Sequence, residues 1–330
     1  MKKLAALLTA GWLAAAGAPS HAADEIRIGW VYAMANAPVL IADSNGYFAE
    51  EGLEAKLLSF TSGPLLKQAM VAGEIDLAYI GSPPVYHWFS RGLESKILAK
   101  VNYGQAAVVS RKESGVDSLA DLKGIKMAGV RKGSGMDVLL RGYVFGEAAG
   151  LVPDEDTQVI SMPSGNMGPS LESKVVDAAF MWEPFISQFL LRGNTQVIFD
   201  INEAQPKYPW YIISAMPDAM EERPDAIVAA LRAHKKAVDF LNSGEDAGND
   251  VIAAAFRLDD VTGPDGTVYP ATEVVRQARA RLGWEWSLND NDVAFIQRLM
   301  NWSLGLGYIK KQLTTDDLID RSFAEKAAGG

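Results

Sequence analysis

The chain has 330 residues, 48% of them apolar and 22% charged, which supports packed cores and leaves room for two domains of ordinary size. Its formal net charge of −10 argues against nucleic acid and anionic membrane surfaces as partners, because both need a basic face. The absence of cysteine excludes disulfides, thiolate metal sites and cysteine nucleophiles, and the three histidines, His21, His87 and His234, are not spaced for a metal.

Met1-Lys2-Lys3 is a basic start, and an apolar run to about Ala18 leads into small residues, with Ser20 and Ala22 fitting a cleavage site. Residues 1–22 therefore read as a secretory signal peptide, too short to span a membrane, with export to the periplasm and a mature start near Ala23. From Glu25 onward the pattern is strand, turn, helix, repeated. Strands are expected at 26–31, 53–60, 75–80, 95–101 and 105–110, with helices opening at Pro38 and over 65–72. A second series follows, with strands at 125–130, 158–162, 175–181 and 195–200 and helices over 136–149, 169–174 and from Phe185. Residues 211–215 read as a strand returning to the first series. The rest is mainly helical, over 218–241, 290–304 and 316–323, around a polar Gly/Pro loop at 259–272.

The chain is organised around Gly73 to Trp88, GEIDLAYIGSPPVYHW: a buried parallel strand, a turn of small residues and prolines, then a helix. Ser82 stands at the expected N-cap, and open α/β sheets receive ligands at this carboxyl edge, where a helix N-terminus favours an anion. Thr61-Ser62-Gly63-Pro64 repeats the design, as does the loop from Tyr32 to Asn36 before Pro38, so three successive turns point to a pocket. Lys132-Gly133-Ser134-Gly135 lacks the glycine frame of a phosphate loop and reads as a helix start with Ser134 as its cap. Glu183, between Trp182 and Pro184 at a buried strand's end, has two open readings: a carboxylate set against a helix start, or a counter-charge for a ligand ammonium. Tyr32, Tyr103, Trp182 and Trp210 fall at strand ends or connections and are candidates to line a pocket. No serine has a placeable His/Asp pair, so catalysis has no positive support.

The Ile26-Arg27-Ile28-Gly29 start with its later Gly46-Tyr47-Phe48, the Ser62-Gly63-Pro64 turn, Gly73-Glu74-Ile75-Asp76 with Gly81-Ser82-Pro83, and Trp182-Glu183-Pro184 carry a resemblance. Over nearly its whole mature length the chain resembles periplasmic substrate-binding proteins of the nitrate/sulfonate/taurine group of ABC importers. The resemblance implies a type II-like fold: two doubly wound α/β lobes, 23–108 plus 213–330 and 109–212, joined by two hinge strands near Ser110 and Trp210. It further implies a monomer without cofactor that delivers a small-molecule ligand to a membrane permease with its cytoplasmic ATPase. By the same analogy Ser62, Gly63, Gly81 and Ser82 would hold an anionic group, and Tyr32, Asn36, Tyr103, Ser134, Trp182, Glu183 and Trp210 the remainder. The expected ligand is an alkanesulfonate or a taurine-like zwitterion. A thiamine-precursor pyrimidine or another heterocycle is the alternative, as is a sensing role. Trp210 stands where taurine binders resemble one another in carrying an acidic residue. Enzymes of this fold rely on cysteine or on a cysteine-rich motif, which this chain lacks.

Overall fold

A computed structural model describes residues 23–329; the expected signal peptide, residues 1–22, lies outside the described residues. The first series runs β1 (Asp24–Val31), α1 (Ala37–Ser44), α2 (Tyr47–Glu50), β2 (Leu53–Phe60), α3 (Gly63–Val71), β3 (Leu77–Gly81), α4 (Ser82–Phe89), β4 (Lys96–Lys100) and β5 (Asn102–Gly104). The second runs β6 (Ala106–Arg111), β7 (Lys126–Gly129), α5 (Gly135–Val138) with a π-helix over Leu139–Ala149, β8 (Gln158–Ser161), α6 (Ser164–Glu172), β9 (Ala178–Trp182), α7 (Phe185–Leu191), β10 (Thr195–Asp200) and α8 (Ile201–Ala204). β11 (Tyr211–Ala215) precedes the helical remainder: α9 (Pro217–Glu222), α10 (Pro224–Leu241), α11 (Asn249–Ala255), α12 (Ala271–Ala278), α13 (Asp290–Gly305) and α14 (Ser322–Ala328).

The strands form two sheets, ordered β2-β1-β3-β11-β4 and β10-β6-β9-β7-β8. In the first, β1 runs parallel to β2 and β3, and β11 is antiparallel to both its neighbours. In the second, β7 is parallel to β8 and β9, and β6 is antiparallel to β9 and β10. Each sheet's antiparallel strand is thus the first one after a crossing from the other series. This is the α/β architecture of two wound sheets expected from the alternating pattern. The crossings are displaced from the expected boundaries: β6 already belongs to the second sheet from Ala106 and β11 to the first from Tyr211, instead of the changes at 108/109 and 212/213. Gln105 makes the first crossing with φ 111°, a conformation costly for a residue with a Cβ.

Burial on both faces explains the continuous apolar runs of the inner strands. Ile26, Ile28, Leu77, Ile80, Leu98 and Ile212 are at most 1% exposed. One face of the second sheet, with Ala128, Ala179 and Met181, is covered by Met167 and Leu171 of α6 and by Ile186 and Phe189 of α7. The opposite face, through Val108, Met127 and Phe180, joins the large core together with Leu140 and Phe145 of the π-helix.

Several helices differ from expectation for identifiable reasons. The segment 218–241 is two helices, because Pro224 opens a new first turn after Arg223. α6 begins at Ser164 and carries Pro169 inside it, at the cost of one i to i−4 bond. The expected helix over 316–323 is a 3-10 turn at Thr315–Asp317 followed by α14. The 259–272 loop contains a two-residue ladder, Val261–Thr262 against Val268–Tyr269.

Candidate functional site

The carboxyl ends of the two sheets face one another across a cavity of about 610 Å³. Its floor and walls come from the end of β1 (Val31, Tyr32), the β2–α3 turn (Thr61, Ser62, Gly63, Pro64), the start of α4 (Gly81, Pro84) and the second crossing (Trp210, Tyr211). The second sheet contributes Val130 and Arg131 after β7, Ser134 to Met136 at α5, Ser161 to Ser164 between β8 and α6, and Trp182 ending β9. Such strand ends are where open α/β sheets receive ligands. The two halves touch at the cavity's edge, where a Cβ on Gly135 would lie 3.1 Å from the Pro83 ring; within the first half, one on Gly63 would lie 2.6 Å from that of Pro84.

Of the residues expected at the site, Tyr32, Ser62, Gly63, Gly81, Ser134, Trp182 and Trp210 line this cavity. Ser82 does not. Gly81, not Ser82, caps α4, and Ser82 is its first helical residue, 1% exposed, with its hydroxyl unpartnered. The Ser82 N–H is directed at the Trp210 carbonyl, 3.4 Å away. Pro83 and Pro84 have no N–H, and the next residue is where the helix's own bonding ladder begins. α4 therefore offers an anion almost no free donor, and the expected anion site between Ser62 and Ser82 loses half its basis.

Three other residues expected at the site lie outside this lining. Asn36 is fully buried outside the lining, its Nδ2 donating to the Val31 carbonyl at 2.7 Å, so it ties a turn to β1. The Tyr103 ring lies over Gly283 on the short strand Leu282–Trp284, with Lys207 Nζ 5.1 Å from its centroid. Glu183 is fully buried and also lies outside the lining. Its carboxylate accepts from Ser187 N at 3.1 Å and Ser187 Oγ at 3.0 Å, at the start of α7, and pairs with Arg281 at 3.2 Å. Burial pushes this carboxyl above the ordinary range, with Arg281 and Ser187 opposing. With those partners Glu183 supports α7 and its join to Arg281, the structural one of its two readings.

Arg131 is the residue that sequence reasoning missed. It is the single Lys, Arg, His, Asp or Glu in the lining, and among the described residues its guanidinium makes no ion pair or hydrogen bond. Its signal was its position directly after a buried strand, inside the turn that opens the next helix. Neighbouring Lys132 is turned away to Asp154, 2.8 Å distant. The turn is held by Asp137, which accepts from Gly133 N at 2.8 Å, Arg141 Nε at 2.6 Å and Tyr308 Oη at 2.6 Å, while Ser134 Oγ accepts from Asp137 N at 3.4 Å. At α6, Asn166 N is bonded to the Pro163 carbonyl, so the N–H groups of Ser164 and Gly165 are the orphans of the first turn. The positive charge and the free donors thus lie mostly on the second sheet's side.

The described residues contain no group of three or more His, Cys, Asp or Glu placed to hold a metal, and no helix long and apolar enough to cross a membrane.

Two sheets facing across a ligand-sized cleft, each completed by a strand crossing from the other, define the periplasmic binding protein fold. Among solved structures of that fold, the aliphatic sulphonate binding protein SsuA of Escherichia coli superposes with a TM-score of 0.75 at 20% identity, over 90% of this chain and 92% of SsuA. The nitrate-binding protein NrtA of Synechocystis PCC 6803 superposes with a TM-score of 0.73 at 17% identity, over 92% and 88%. In sequence, residues 20–256 match the model of the NMT1-like family, and the chain belongs to that family. A provisionally named binding protein of Brucella abortus is 31% identical over 77% of this chain and 80% of its own length. A provisionally named aliphatic sulfonates-binding protein of Bacillus subtilis is 25% identical over 96% and 93%.

Proposed function

We propose that this protein is the solute-binding component of an ABC importer, and that it takes a small organic anion into the cleft between its sheets and delivers it to a membrane permease. The observation that carries the reading is Arg131: in a chain of net charge −10, the one formal charge lining the cleft is a cation with no partner among the described residues. A local donor set of this kind captures an anion that the protein's overall field repels. The names of the sulfonate- and nitrate-binding relatives support the same class of ligand. The lobes in this reading are residues 23–105 with 211–329, and 106–210, and only the closed arrangement touches ligand from both sides.

Calorimetry on ligand-stripped protein with a series of alkanesulfonates and carboxylates tests the proposal. A charge-assisted contact contributes about 1.5–3 kcal/mol, so Arg131→Gln should weaken binding roughly tenfold to a hundredfold. Arg131→Lys should recover part of the loss, because it restores charge without the planar fork. Affinity for every anion unchanged in Arg131→Gln would remove the anion reading.

A further inference from the structure

The reading above leaves the kind of anion open, and the chemistry of the lining narrows it. Among the described residues no carboxylate lines the cleft, and Glu183, next to Trp182 in the chain, spends its two oxygens on Ser187 and Arg281. A ligand ammonium would enter a space whose one formal charge is also positive, and a small zwitterion would hold its two charged ends close together beside Arg131. The space is also far larger than an inorganic oxyanion occupies, and about 610 Å³ falls in the range of cavities that enclose whole organic molecules.

What fills the remaining wall is aromatic. Trp210 is 2% exposed and borders the cleft; its Nε1 would lie 3.9 Å from a Cβ on Gly81, and it has no hydrogen-bond partner among the described residues. Trp182 enters from the opposite sheet as the last residue of β9. Tyr32 stands at the mouth, 46% exposed but not free to swing. Its ring packs 5.7 Å from Trp30 and 4.7 Å from Phe256, and its hydroxyl donates to the Ala255 carbonyl at 3.3 Å. Rings held in this way offer flat apolar faces with little entropy left to lose, the condition under which stacking contributes most.

Resting on the solute-binding reading, we propose that the natural ligand is an aromatic monoanion. A sulfonate or carboxylate sits at Arg131 and the α6 start, and an unsaturated ring lies against Tyr32, Trp182 and Trp210. Trp210 Nε1 remains to donate to an oxygen substituent on that ring.

The test is calorimetry on ligand-stripped protein with naphthalene-2-sulfonate, benzoate, ethanesulfonate, taurine and nitrate. Naphthalene-2-sulfonate should bind at least about tenfold tighter than ethanesulfonate, as two ring contacts provide. Taurine, which is ethanesulfonate with an amine, should bind more weakly than ethanesulfonate, and nitrate more weakly still. Tyr32→Leu, which removes the ring at the mouth, should bring the ratio of naphthalene-2-sulfonate to ethanesulfonate affinity towards one. Taurine binding as tightly as ethanesulfonate, or nitrate exceeding the aromatic anions, overturns the ligand class. If those small ligands bind and do so through Arg131, the solute-binding reading stands without it. Failure of every anion to bind overturns both.

Discussion

At the scale of single residues, the chain contains one buried cation whose placement works against the fold. Lys67 of α3 is 0% exposed, and the one hydrogen bond of its ammonium among the described residues is to Met216 Sδ at 3.4 Å, a weak acceptor. Burial lowers it from 10.5 to about 8. Because the folded-state value lies below the unfolded one, the unfolded chain holds the extra proton between about pH 8 and 10.5, and stability from this group rises with pH across that window. Below it the charged amine destabilises the protein by about 3 kcal/mol, the equivalent of that gap. Lys67→Met should therefore raise stability at pH 7 by about 3 kcal/mol, and the advantage should shrink towards nothing above pH 10.5. Urea unfolding of both proteins at pH 7 and pH 10.5 checks this; a constant difference would mean that Lys67 finds a partner. The same residue scale explains what was legible of the site. That Tyr32, Ser62, Trp182 and Trp210 would line the cavity could be read because small residues and aromatics at strand ends are local signals. Glu183 was equally visible as a residue type, but its role depended on Arg281, 98 positions away. Arg131 gave no compositional signal, since a lone exposed arginine after a strand differs from its equally exposed neighbour Lys132 only in lining the cavity.

Between elements, the tightest constraints lie where a helix start or a glycine lets two backbones approach. The strand–turn–helix alternation was readable throughout the two series because inner strands and turn residues are specified locally. The helical ends were less so: Pro169 and Pro224 mark a helix's middle in one case and its start in the other, and neighbouring packing decides which. The π-helix Leu139–Ala149 is another feature that a helical period does not announce, and it lies against α13. At their contact Gly142 leaves room for Trp302, whose Cβ would be 2.5 Å from a Cβ added there. That atom is fixed to the α13 backbone, so it cannot rotate away. Gly142→Ala should cost about 1–3 kcal/mol as an overpacked contact, despite alanine's better helix propensity. A lowered denaturant midpoint with an unchanged slope is the expected observation. A rise in stability would show that α13 and the π-helix can slide apart.

Across the whole molecule, the two sheets are joined by more than their crossings. The C-terminal part that follows β11 reaches across to the second series at several places. Arg298 Nη2 and Trp302 Nε1 both donate to Glu147 at 2.6 Å, Tyr308 Oη donates to Asp137 at 2.6 Å, and Arg281 pairs with Glu183 and with Asp200 at 3.1 Å. If the lobes move as proposed, these bonds favour the closed arrangement before any ligand arrives. Apparent affinity is intrinsic affinity scaled by the closed fraction, so loosening the ties should weaken binding although neither Glu147 nor Tyr308 lines the cleft. The Glu147 contacts are half exposed and worth up to about 1 kcal/mol, whereas the bond from Tyr308 to buried Asp137 is charge-assisted and worth about 1.5–3 kcal/mol. The double variant Glu147→Gln, Tyr308→Phe keeps the shape of both contacts while removing the charge of one and the hydroxyl of the other. Its ligand-free radius of gyration in small-angle scattering should exceed that of the wild type, and saturating ligand should compact it by more. Its affinity should fall by roughly tenfold or more, the equivalent of about 1.4 kcal/mol or above. Equal radii with and without ligand in both proteins would mean that the sheets are held as one rigid body, and the ligand would then have to enter through the open mouth beside Tyr32.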